Sequence, residues 1–110
     1  MKLYIQEEQL VNQFSSMMKF EIGANHYKGN MVEWSPDAFE LISETSYHLA
    51  LLHRALLAVE QGGSYAARHE VDEYSADVAN LMAKICLTFG SLKLHPVGHD
   101  LSSNKQVSDS

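Results

Sequence analysis

The chain is short of cysteine, of cations and of long apolar runs, and each shortage removes a class of protein. With Cys86 as the one cysteine, no intrachain disulfide can form. Its place in an apolar helical stretch predicts a small buried hydrophobe and not a nucleophile. No apolar run approaches the roughly 20 residues that a membrane span needs. The stretch Met1-Lys2-Leu3-Tyr4-Ile5-Gln6-Glu7-Glu8 has no apolar block of the secretion-signal kind, so a cytoplasmic, reducing location is expected. Eight Lys and Arg stand against 14 Asp and Glu, a net charge of −6. Cations this few and this scattered do not make a surface for a nucleic-acid polymer. Free nucleotides stay open, because a metal ion and one or two lysines can meet their charge. There is no GxSxG elbow, and the six histidines do not form HExxH, which argues against a serine triad and a zinc site. Lys28-Gly29 lacks the further glycines and preceding strand of a phosphate-binding P-loop.

What is present is helical. The 110 residues, 45% of them apolar, suit one domain, here placed at residues 1–92. Leu10, Val11, Phe14, Met17, Met18 and Ile22 recur at spacings of three and four, which predicts a helix from about Gln6 to Ile22. Residues 24–34 carry no clean period and read as a loop. Ser35 as N-cap, Pro36 at the first helical position and Asp37 in the first turn start a second helix. It runs to about Glu60 before Gly62-Gly63. Phe39, Leu41, Ile42, Leu49, Leu52, Leu56 and Val59 make it apolar over much of its girth, as for a helix covered by a second subunit. A third helical segment spans about Ser64–Phe89, whole or in two pieces. Residues 93–110 are polar and aperiodic and read as a disordered tail. The fold class expected is an all-α antiparallel bundle completed by oligomerisation, as a homodimer or homotetramer.

Acids stand one helical turn apart in two places. Asp37, Glu40, Glu44 and His48 follow one stripe of the second helix, and Glu73, Asp77, Asn80 and Lys84 follow one stripe of the third. Residues four apart share a face, with Cβ atoms roughly 5–6 Å from each other. If the helices face each other, Glu40, Glu44, Glu73 and Asp77 converge, and a cluster of carboxylates is favourable only around hard cations such as Mg2+. A solvated face is the plain alternative for the first stripe. Asp77 sits among small and apolar residues, so it is either functional or a structural partner of Lys84 or Arg54. Trp34 either stacks on a base or plugs the core.

Three segments together resemble the MazG-like nucleotide pyrophosphohydrolases. They are Asn25-His26-Tyr27-Lys28-Gly29 followed by Trp34, Leu41-Ile42-Ser43-Glu44-Thr45-Ser46-Tyr47-His48-Leu49, and Ala76-Asp77-Val78-Ala79-Asn80. The resemblance covers about residues 10–89. Asp77 and Asn80 match the family's closing Glu-x-x-Asp-Val-x-Asn, and Glu44 matches the leading acid of its Glu-Glu-x-x-Glu helix. Thr45, His48 and Tyr74 stand where the family has acids, with Glu73 one residue early and Glu40 and His48 as stand-ins.

The resemblance implies an all-α MazG-like fold and Mg2+-dependent cleavage of a nucleoside triphosphate to the monophosphate and pyrophosphate. It implies metal ligation by Glu44, Glu73 and Asp77, with His48 a poor Mg2+ ligand in a fourth place. Glu44 and Glu40 would serve the attacking water, Lys28 and Lys84 the phosphates, Asn80 the sugar or base, and Trp34 the base. The incomplete acidic motifs leave a second reading, a MazG-fold module that binds nucleotide or protein without hydrolysis.

Overall fold

The computed structural model describes residues 2–95, and the expected tail lies outside them from residue 96 onward. Three α-helices form a bundle: α1 (Ile5–Ala24), α2 (Ala38–Glu60) and α3 (Tyr65–Phe89). A short 3-10 turn, His26–Lys28, lies in the first connection, and the described residues contain no strand. All-α is thus the fold class, and the third helical segment is one unbroken helix.

Local chemistry sets the helix ends. Ser64 caps α3, its hydroxyl accepting from Ala67 N at 3.3 Å, and Gly90 follows the last turn. For α2 the cap is Asp37, not Ser35. Asp37 Oδ1 accepts from Glu40 N at 2.8 Å, and Glu40 Oε1 accepts from Asp37 N at 3.0 Å. This reciprocal capping box needs a Glu or Gln three residues after the cap, which Asp37 has in Glu40 and Ser35, with Ala38 in that place, lacks. Glu40 is thereby held at the end of α2 and joins no cluster of acids.

Helix α3 is the shared element. It packs along α2, to which four residues join it, and against α1, whereas α1 and α2 do not approach within 8 Å between Cα atoms. Met18 pairs with Asn80, and Glu21 meets Asp77 and Glu73, so α1 runs antiparallel to α3. Both neighbours of α3 oppose it, so α1 and α2 run parallel with a gap between them. The connection 25–37 returns along α3, where Val32 O receives the ammonium of Lys84.

The core of the chain is thin. Among the described residues Leu41, Ala55, Ala67, Ala76 and Leu81 are the buried hydrophobic residues, and Leu41 is the only large side chain fully enclosed. Helix α1 has no buried residue, and Leu10 and Val11 are exposed. On α2, Phe39, Ile42, Leu49 and Leu56 face outward. Cys86 is exposed and not in the core, because it falls on the outer surface of α3.

Candidate functional site

The gap between α1 and α2 is a cavity of about 560 Å³, floored by α3 and walled by the first connection. Glu21 and Ile22 enter it from α1, Glu44 and His48 from α2, and Asp77, Asn80 and Leu81 from α3. Lys28, Gly29, Met31 and Trp34 line the loop side. Of the residues singled out in the sequence, six therefore share one cavity: Lys28, Trp34, Glu44, His48, Asp77 and Asn80.

The acids that cluster are not the four expected. Glu21, Glu73 and Asp77 bring carboxylate oxygens within 4.8 Å of one another, all half-buried. Glu40 is at its cap, and Glu44, though it lines the cavity, stands outside this group. The cause is rotation. An acid at position 74 would face α2, as Tyr74 does, with Arg54 and Tyr47 of α2 near its phenol. Glu73, one residue earlier, is turned by about 100°, toward α1, and Glu21 of α1 meets it there. Thr45, at another position where an acid was expected, is buried and donates to Leu41 O at 2.8 Å.

Sequence reading overlooked Glu21, although a signal was present. Phe14, Met17, Met18 and Ile22 are the half-buried face of α1, and Glu21 lies within that same stripe. It is the oddity that made Asp77 conspicuous, a charge among residues that pack.

Crowding shows in the electrostatics. The Glu21 carboxyl is pushed up to about 7, first by burial, then by Asp77, through its charge and the hydrogen bond it accepts from the protonated acid, and then by Glu73. His69 pulls the other way, more weakly. The Tyr74 phenol is raised by burial and by Glu70 and Glu73. Among the described residues no Lys or Arg lies within ion-pair distance of a carboxylate, so none neutralises the triad. Neither Lys84 nor Arg54 pairs with Asp77.

Three half-buried oxygen donors without a protein cation suit a hard divalent ion, with waters filling the remaining positions. A second observation agrees. Asn80 is 6% exposed and its Nδ2 donates to Met18 O at 3.0 Å, yet its Oδ1 has no partner. An enclosed acceptor at a cavity wall calls for a donor from a ligand or a water. Two other candidates sit differently. Glu73 opens onto a neighbouring hollow with His69 and Asp72, and Lys84 does not line the cavity at all.

The sign of the Glu21 effect can be tested without any substrate. The folded state holds this proton up to about pH 7, whereas the unfolded chain releases it near 4.5. Glu21 therefore contributes stability that is complete below about pH 4.5 and lost as pH rises through about 7. Between pH 5 and pH 8 in chelator, the wild type should lose about 5 °C more of its melting temperature than Glu21→Gln does. Equal losses in the two proteins, read by calorimetry, would contradict this placement of the proton.

These features define the class: an all-α three-helix protein whose first and third helices share an acidic triad beside a cavity. No family model, no curated protein and no solved structure matches the chain.

Proposed function

We propose that the protein is a nucleoside triphosphate pyrophosphohydrolase of MazG-like type, its Mg2+ held by Glu21, Glu73 and Asp77. The observation that carries this reading is the junction of a cation-fitting acidic triad with a cavity of about 560 Å³, the size of a small-molecule site. A divalent cation there supplies charge neutralisation on phosphate oxygens and an acidified water. Lys28, exposed on the loop, places an ammonium against the phosphates. Trp34, 38% exposed at the same wall, offers a ring face for a base. Asn80 Oδ1 accepts a donor from sugar or base. His48 Nδ1 lies 2.9 Å from Glu44 O, an acceptor only, so it donates and leaves Nε2 as the acceptor of the neutral ring. His48 and Glu44 are the groups to take a proton from the attacking water across from the triad.

Assembly is part of the proposal. Phe39, Ile42, Ser46, Leu49, His53 and Leu56 repeat at alternating spacings of three and four along α2, and the large apolar members are exposed. Val71, Ser75, Val78, Met82, Ile85 and Phe89 do the same along α3, with Met82 and Phe89 exposed. Ile42 stands two residues from Glu44 and Met82 two from Asn80, about 200° round each helix from the cavity. Both seams therefore lie on the side away from α1. Two such seams make half of a four-helix core, and a second copy of the chain supplies the other half.

A Mg2+-independent nucleotide-binding module is the second reading. It is favoured by Thr45, whose burial and back-bonding leave α2 with Glu44 as its only acid in the cavity. The test is pyrophosphate release from canonical and modified dNTPs with Mg2+. Folded protein that turns over none of them sinks the hydrolase, and nucleotide binding indifferent to Mg2+ in calorimetry establishes the module.

A further inference from the structure

The loop wall of the cavity is tied down almost entirely by itself. Lys28 N and Gly29 N donate to Asn25 O and His26 O at 2.9 Å. Val32 N donates to Asn30 Oδ1 at 2.8 Å and Trp34 N to Asn30 O at 3.1 Å, while Ser35 Oγ reaches Glu33 O at 3.3 Å. Each of these bonds shapes the loop, but none attaches it to a helix of the bundle. At the two ends of the connection Asn25 Nδ2 donates to Glu21 O of α1 at 2.9 Å and Asp37 caps α2. Between those ends one bond ties the wall to the bundle. Lys84 Nζ donates from α3 to Val32 O at 3.0 Å, across 52 positions of sequence.

Lys84 is an unusual residue for the task. It is 5% exposed, and no carboxylate lies within ion-pair distance of it among the described residues. An ammonium buried without a counter-charge costs stability. A neutral side chain of similar shape would fill the same space without that cost. What the ammonium adds is its donor, and its acceptor is the carbonyl in the middle of the cavity wall. The ends of the wall suit a segment set by one central tie. Gly29 has φ +114°, a conformation that side chains disfavour, with nothing within 4 Å of where its Cβ would stand. At the far end Pro36 is buried.

We infer that Lys84 is a positioning residue, a latch that fixes residues 29–34 against α3 and so sets where Lys28 and Trp34 meet the ligand. The nature of that ligand rests on the hydrolase reading, but the latch does not. Lys84 acts through the loop and not on the reacting atoms, so affinity and not turnover should depend on it.

Lys84→Met keeps the length of the stem and removes donor and charge. Its helix content should match the wild type, and its melting temperature should be equal or higher. Trp34 is the only tryptophan, so it reports the wall directly. In Lys84→Met its quenching by acrylamide should rise about twofold to threefold as the wall opens locally. The KM for nucleotide should rise about tenfold with kcat within about twofold. Lys84→Arg restores a long donor and should return both readouts toward the wild type. A folded Lys84→Met with wild-type Trp34 quenching overturns the latch. A wild type that hydrolyses no nucleotide sinks the hydrolase reading and leaves Trp34 to decide the latch. If Lys84→Met does not fold, Lys84→Gln, whose shorter amide does not reach Val32 O, replaces it. It should show faster amide exchange across 29–34, and unchanged exchange there overturns the proposal.

Discussion

Asp77→Asn should weaken Mg2+ or Mn2+ binding by at least about 100-fold and abolish pyrophosphate release with it. Asp77 is the member of the triad that both contacts Glu21 and lines the cavity with it. Converting it to an amide removes one charge of three and one oxygen donor, with almost no change of shape. The same substitution should raise the stability of the metal-free protein at pH 8, because Glu21 loses its main ionic antagonist. This opposite movement separates a ligand from a residue that merely supports the fold. Titration calorimetry with Mn2+ and melting curves in chelator give the two halves. A variant that keeps the wild-type thermal shift on adding metal would remove Asp77 from the site. Glu40→Ala makes the contrast. Glu40 belongs to the capping box of α2, so its loss should cost about 1 kcal/mol of stability and leave metal affinity unchanged.

Leu49→Glu should convert the assembly to monomers and lower the melting temperature by at least about 10 °C. Leu49 is 50% exposed in the protomer and lies at the middle of the α2 seam. If the seam is covered by a second copy, the substitution places a carboxylate in an apolar core, opposite its own symmetry mate. Each large apolar side chain of the seam contributes on the order of 1.5–3 kcal/mol when covered. The protomer, with Leu41 as its one fully enclosed large side chain, has little to replace that. Ser43→Glu, exposed on α2 outside the seam, should leave mass and stability unaltered. Light scattering that finds a wild-type monomer, or a Leu49→Glu dimer, would refute the interface.

Much of the fold was legible because its signals are local. Gly62, Ser64 and Gly90 mark helix ends through bonds that reach no further than a turn. The misplaced cap of α2 was legible too, since Asp37 and Glu40 have the spacing of a capping box and Ser35 has no acid to reciprocate. The site was harder, for a physical reason. Periodicity shows which residues of a helix share a face, but not which neighbour that face meets. Glu73 and Asp77 share a face of α3 in either case, and only the packing of α1 turns that face into a site. Lys84 shows the same limit. The resemblance implied for it a hand toward phosphate, whereas its donor goes to a backbone carbonyl that no spacing rule foretells.

Helix α1 has no fully buried residue and no Cα within 8 Å of one in α2. Its polar ties to α3 are the Asn80 amide at Met18 and the meeting of Glu21 with Glu73 and Asp77, both within its C-terminal half. When all three acids ionise with no cation among them, the second tie becomes a repulsion. The ion proposed for chemistry would then also be the rivet that fastens the first helix to the body. Chelation and the lifting of α1 would be a single event, and the empty protein would differ from the loaded one in its outline as well as its charge.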